Sequence, residues 1–357
     1  MGLQIIKPDT RINFLGYRKI AYAVSGLLIL VSIITLLAHG GPRYGIDFAG
    51  GVIVQAKVHS DTEYSSTAVS DALEATGLPG LVVQEILDEH NEFMVRTSAS
   101  DEDTESIREA VQTTLTEAFP GTTVEIRRTE MVGPKVSSDL RTNALKAMFY
   151  AVLLIAIYIS GRFEQKWMLA GVMAVALFLG LTGLDFIGVP MALLILGALT
   201  IAVGLCWYLK LNYALGAVVA LIHDVTITIG VFSLLNKEFD LTTIAALLTI
   251  IGYSLNDTII VFDRIRENLR GRISDSFAKT INISVNQTLS RTVLTSGTTL
   301  LVVVALAVFG GGAIHDFALA LLIGIGVGTY SSIFVASPIL LGFGPSSSDL
   351  EEAENTN

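Results

Sequence analysis

Cysteine is nearly absent from this chain: Cys206 is the only one in 357 residues, and it lies inside an apolar run. A single thiol cannot close an intrachain disulfide, so no stapled scaffold is encoded and no redox compartment follows. Charge is also scarce, at 16% of residues, and the 23 bases are outnumbered by 33 acids. A nucleic-acid partner, which calls for a basic face, is therefore not expected. No nucleotide cradle is present: Gly310-Gly311-Gly312 has neither a Lys-Ser/Thr ending nor a strand context, and marks a loop. His39, His59, His90, His223 and His315 show no close ligand spacing, so no metal or other cofactor is expected. Ser296 has no base beside it in sequence, and no hydrolase triad is evident, which disfavours an intramembrane enzyme.

Apolar residues, by contrast, make up 52% of the chain, and several runs reach the roughly 20 residues that cross a bilayer. The net charge of −10 is local. Residues 45–140 hold 18 acids against 6 bases, net −12, whereas the remainder holds 15 against 17, net +2. The acid belongs to one soluble domain, and the membrane part is nearly neutral. The first apolar run, Ile20–Ala38, follows Lys7, Arg11, Arg18 and Lys19. It is long for a signal-peptide core and lacks a small-x-small cleavage site after Leu37, so it reads as an uncleaved span after a cytoplasmic N-terminus, residues 1–19.

Residues 45–135 read as βαββαβ. Strands are expected at 51–58, 81–87, 92–97 and 124–128. Helices are expected at 62–76, with Thr62 as N-cap, and at 100–118, opened by Ser100 and three acids that suit a helix N-terminus. A turn at 88–91 joins the middle strands. That order is the split βαβ arrangement of ferredoxin-like domains. Beyond it, spans are expected at 142–160, 168–187, 191–209, 213–235, 241–262, 289–309 and 317–341, eight with the first. Arg162, Lys166, Lys210, Arg264, Arg266, Arg270, Arg272 and Lys279 then fall in loops on the N-terminal side of the membrane. The expected fold is thus a polytopic α-helical membrane protein of about eight transmembrane helices with one α+β, ferredoxin-like extracytoplasmic domain. Both termini are expected in the cytoplasm, and the acidic tail, 342–357, reads as disordered after Pro345.

Within the bundle, the stretch 252–269, GYSLNDTIIVFDRIRENL, places Asp257 in an otherwise apolar helix. A charged carboxylate at a helix centre costs roughly 2.5–3.5 kcal/mol in hydrocarbon, so it usually marks a pathway, a partner or a proton. Thr249, Gly252, Tyr253, Asn256 and Asp257 share one helical face, and Thr288, Arg291, Thr292, Thr295, Thr298 and Thr299 form a second stripe. Such stripes should face protein or a wet cavity. Antiparallel packing would bring Arg291 to the depth of Asp257, and an ion pair is expected there. Asp257 as a proton carrier and the pair as a static clasp both remain open on the residues alone. His223 and Asp224, near mid-membrane, read as a supporting relay or as a helix tie through Thr228. Gly324-x-x-x-Gly328 is a close-packing pattern.

Several segments together resemble the SecF family, the smaller subunits of SecD–SecF protein-export complexes, related to the resistance-nodulation-division transporters. They are GIDFAGG at 45–51, RFE at 162–164, HDV at 223–225, the long stretch 238–270, NQTLSRT at 286–292, TSGTTL at 295–300 and GTYSSIFVASP at 328–338. The resemblance implies a membrane subunit that uses the proton gradient to pull or release exported, unfolded polypeptide beside the SecYE(G) channel, together with SecD. It also implies that Asp257 and Arg291 mark the proton pathway; from the residues themselves Asn256 is expected beside them, with His223, Asp224, Thr249, Tyr253, Thr295 and Thr299 in support. The usual member has six spans. Residues 167–211 read here as an added two-helix hairpin with a tiny outer turn at 183–190. Two rivals are a small-molecule or lipid exporter of the resistance-nodulation-division type and a scaffold with static buried charges.

Overall fold

The computed structural model describes residues 10–86, 90–99, 103–186, 191–274, 276–310 and 312–345. The tail after Pro345 and part of the turn expected at 88–91 lie outside these residues. After a short 3-10 turn, helix α1, Arg18–Ala38, leads to a four-residue helix α2, Ile46–Ala49, and into a small α+β unit. Its elements are β1 Gly51–His59, α3 Ser66–Glu74, β2 Val82–Glu85, β3 Glu92–Thr97, α4 Thr104–Ala118 and β4 Thr123–Val132. The strands form one antiparallel sheet in the order β2-β3-β1-β4.

Alternation in β1 explains the core of this unit. Val52, Val54, Ala56 and Val58 are buried against Val69 and Leu73 of α3 and Ile107, Val111 and Leu115 of α4. The first helix starts later than Thr62. Asn91 binds the amide of Tyr64 and the carbonyl of Thr62, which holds 60–64 as loop, and Ser65 caps the helix instead. Gly51, at φ 120°, has its α-carbon against the Thr97 carbonyl, where a Cβ would overlap that oxygen. Gly51→Ala is expected to lower stability by more than about 1 kcal/mol, read as a lower melting temperature of the purified protein; an unchanged melt would contradict this packing.

The rest of the chain is helical: α5 Pro134–Glu164, α6 Trp167–Phe186, α7 Met191–Tyr208, α8 Asn212–Leu234, α9 Leu241–Arg270, α10 Phe277–Phe309 and α11 Gly312–Ser331. One π-helical turn, Ser332–Ala336, then leads into α12, Ser337–Phe343. Six described helices are long and apolar enough to cross a membrane: Phe14–Ala38, Pro134–Glu164, Asn212–Leu234, Leu241–Arg270, Phe277–Phe309 and Ile314–Phe343. The chain is a multi-pass membrane protein. Among the described residues the expected count of eight is not reached: within the hairpin helices α6 and α7, of 20 and 18 residues, the described apolar stretches are Trp167–Gly180 and Leu193–Tyr208. Part of its outer turn lies outside the described residues. The hairpin packs on α5 and α8 through Ala170, Met173, Leu177, Ala198, Ala202 and Cys206.

Several helices run past the spans read from hydropathy. Polar turns need not end a helix where protein satisfies them. α10 begins at Phe277, twelve residues before the expected Leu289, because Asn282 and Asn286 hold the backbone of Ile12 and because Ser284 and Gln287 accept from Asn268 of α9. The chain's N-terminal segment thus sits at the end of the bundle opposite the sheet, which roots beside the start of α9.

Candidate functional site

α9 carries Asp257 in the middle of the bundle, flanked by α8, α10 and α11. Its start is set by Asp240, whose side chain accepts from Thr243 N at 2.7 Å. Two glycines bring α11 close: a Cβ on Gly324 would overlap Ile250, and one on Gly328 would sit 2.9 Å from Ser254 Cβ. The Gly324-x-x-x-Gly328 pattern therefore lies on the α9 face, as small-residue packing requires.

Asp257 is 1% exposed. Ser296 of α10 donates to its Oδ2 at 3.0 Å, and Thr329 of α11 donates to Ser296 Oγ at 2.8 Å while lying 3.4 Å from the same carboxylate oxygen. Its other oxygen, Oδ1, is buried with no hydrogen-bond partner among the described residues. A buried acceptor without a donor is the position that a proton would satisfy.

The expected ion pair with Arg291 does not form: no contact within 4 Å joins the two, and Arg291 is exposed. Helical geometry explains it. Arg291 precedes Ser296 by five residues, about 140° around α10 at 3.6 residues per turn. Thr292 and Ser296 take the buried face, and Arg291 turns outward.

The remaining stripe residues divide. Thr249, Gly252 and Asn256 are exposed on α9, and Arg291 and Thr298 are exposed on α10. Tyr253 crosses between the helices, donating toward Thr299 Oγ1 at 3.0 Å and Thr295 O at 3.2 Å. So the bundle buries Asp257 but leaves a polar strip beside it uncovered.

His223 and Asp224 form a second buried centre. Asp224 is fully buried; its Oδ1 meets His223 Nδ1 at 2.8 Å, and its Oδ2 accepts from Ser254 of α9 at 2.5 Å and Ser331 of α11 at 2.8 Å. His223 Nε2 lies 3.0 Å from Ser25 Oγ of α1, which is 3.1 Å from Tyr330 OH. Four helices meet on this pair. Thr228 bonds to the Asp224 carbonyl, an ordinary i−4 contact within α8. Thr329 and Ser331, two residues apart on α11, thus reach the two buried acids. The π-helical turn follows directly: Pro338 has no N–H and its ring crowds the carbonyl four residues back, so the helix loosens there.

Ser25, Ser254, Ser296, Thr329 and Ser331 were not among the expected site residues. Their hydroxyls are too common in membrane helices to stand out, although Ser254 belongs to the same 252–269 stretch as Asp257. No group of three or more His, Cys, Asp or Glu able to hold a metal occurs among the described residues.

Known proteins match this arrangement over nearly the whole chain. The family described as "Protein export membrane protein SecD/SecF, C-terminal" matches residues 110–204 and 183–345, two segments that overlap within the hairpin. The SecD/SecF GG motif matches residues 35–62. A protein translocase subunit SecF from Rhodothermus marinus is 39% identical over 334 residues, covering 92% of each chain. Its counterpart from Magnetococcus marinus is 40% identical, covering 97% of this chain and 96% of the relative. These relatives are named as translocase subunits and not as enzymes. Among solved structures, SecDF of Thermus thermophilus, titled a translocon-associated membrane protein, superposes with a TM-score of 0.68 at 33% identity. It covers 95% of this chain, which spans only 39% of that longer SecDF chain. A second SecDF structure, in a super-membrane-facing form, gives a TM-score of 0.56 at 31% identity.

Proposed function

Since this chain belongs to the SecF family of protein translocase subunits, we propose that it works with SecD as an accessory of the Sec translocase, coupling proton movement to late export of polypeptide. The observation that carries the proton step is Asp257: a carboxylate buried mid-bundle, bonded on one oxygen by the Ser296 hydroxyl, with Thr329 of a further helix donating to Ser296, and without a donor on the other among the described residues. A buried carboxylate with no charge partner inside the chain is eased by taking up a proton, and each change of charge alters what α9 must face.

The uncovered strip of Thr249, Asn256, Arg291 and Thr298 supports a protein neighbour on that side, since hydrocarbon is a poor solvent for an arginine. SecD is the neighbour this reading assigns. Arg291 then serves across that interface, completing the surroundings of Asp257 only in the complex. Arg291→Met is expected to reduce proton-dependent export at least tenfold while shifting stability by no more than about 0.5 kcal/mol, the usual effect of an exposed substitution. Export assays and melting of the purified chain check both halves, and normal export by this variant would exclude the role.

In this reading the sheet, with its βαββαβ order, is a ferredoxin-like domain on the outer side of the membrane, and both termini are cytoplasmic. If both helices of the hairpin α6–α7 cross the membrane, as the sequence leads one to expect, the two crossings preserve the orientation of everything after it. Its polypeptide clients and the SecYE(G) channel are further partners, with lipid around the remaining faces. Affinity purification of the chain followed by mass spectrometry tests the partnership: SecD should be recovered with it, and its absence from a detergent-stable preparation would contradict the assignment.

A further inference from the structure

The segment that joins α1 to the sheet is bonded directly to the start of α9, the helix that carries Asp257. Gly45 N donates to Phe239 O at 2.8 Å and Phe239 N donates to Arg43 O at 2.7 Å, a short parallel bridge between Tyr44 and Phe239. Asp47, on α2, accepts the amide of Leu241 at 2.9 Å, so the first residue of α9 is capped by a side chain from the root of the sheet. A Cβ on Gly45 would lie 3.3 Å from the Phe239 carbonyl, tighter than most side chains tolerate, so the approach favours glycine there.

A charge cluster extends this joint into the sheet itself. Glu238 stands 3.5 Å from Arg43 Nε and 2.5 Å from Nη1 of Arg96, a residue of β3. The Arg96 contact is a close charge pairing without hydrogen-bond alignment. One glutamate just ahead of α9 thus holds a cation from the linker and a cation from the sheet. The pair is only partly exposed, with Glu238 at 22% and Arg96 at 17%, so solvent screens it less than a surface ion pair. Next to it, Lys237 pairs with Asp316 of α11, which fixes the loop between α8 and α9 from the other side.

We infer that Glu238, with Arg96, Arg43 and Asp47, is a coupling clasp that makes the sheet and the outer end of α9 move as one body. A shift of α9 on gaining or losing charge at Asp257 is then delivered to the sheet across this joint. The inference rests on the proton-coupled reading above and names the residues that carry its mechanical step. None of these four touches Asp257, so loss of the clasp separates proton movement from export instead of stopping both.

Glu238→Gln, Arg96→Gln and the double variant, each assembled with SecD in proteoliposomes with a preprotein, test it. Proton flux should stay within twofold of wild type while export falls at least tenfold, and the double variant should be no worse than either single. Backbone hydrogen exchange at 44–47 and 239–241 should accelerate in all three. Wild-type export, or flux falling in step with export, would overturn the clasp. If Asp257→Asn itself exports normally, the proton reading has failed on its own. The clasp is then decided by exchange alone: unchanged protection at 44–47 and 239–241 in Glu238→Gln rules it out.

Discussion

Asp257→Asn is expected to assemble with SecD at wild-type levels and to lose proton-dependent export, a fall of at least tenfold. The two halves follow from the same geometry. An asparagine keeps the shape of the side chain, and its carbonyl oxygen can still accept from Ser296, with Thr329 behind it. Packing between α9, α10 and α11 is therefore retained, and the change in stability should stay within about 1 kcal/mol, the scale of one hydrogen bond. What the amide cannot do is alternate between neutral and charged. Vesicles carrying the variant complex and energised by a proton gradient give the readout, with co-purification of SecD as the control for assembly. A wild-type export rate with SecD bound would remove Asp257 from the mechanism.

Asp224→Ala is expected to have the largest effect on stability, a loss of about 3–5 kcal/mol, because it breaks a buried pair and leaves its partners without acceptors. His223, Ser254 and Ser331 all face this carboxylate, and together with Ser25 they join α1, α8, α9 and α11. Asp224→Asn separates the two roles offered for the pair. Its amide nitrogen can donate to His223 Nδ1 while its oxygen accepts from the two serines, so the four-helix tie survives. If Asp224→Asn melts and exports like wild type while Asp224→Ala unfolds, the pair is a tie. A stable Asp224→Asn that exports no protein would make it a second proton-binding centre. An Asp224→Ala that melts as wild type would contradict the tie altogether.

The parts that were legible in sequence were those governed by periodicity and by the cost of buried charge. The alternation of Val52, Val54, Ala56 and Val58 reads directly as a strand with one buried face, and the structure places it centrally in the sheet. Asp257 stood out because nothing near it in α9 offsets its charge. Its partners did not, since they come from α10 and α11, 39 and 72 positions away, and a hydroxyl carries no signal of the face it will meet. The error at Arg291 has the same origin. Depth along a helix can be counted, but the rotation of α10 about its own axis cannot, and the structure turns Thr292 and Ser296 inward. Helix ends past the lipid were misplaced because hydropathy falls at Asn282 and Asn286 although the hydrogen bonds of α10 continue through both. The joint at Glu238 and Asp47 was similarly hidden: each lies in a segment recognised for its resemblance, 238–270 and 45–51, but only the fold brings the two together.

Proton coupling requires that a hydrogen ion occupy Asp257 during part of the working cycle. Infrared difference spectroscopy of the SecD-containing complex, stepped in pH, reads this directly through the carbonyl stretch of a protonated carboxylic acid. The expected result is a band in the carboxylic-acid region that appears and disappears reversibly in the wild-type complex and is missing from Asp257→Asn. A band that does not change with pH, or one that persists unaltered in Asp257→Asn, contradicts it.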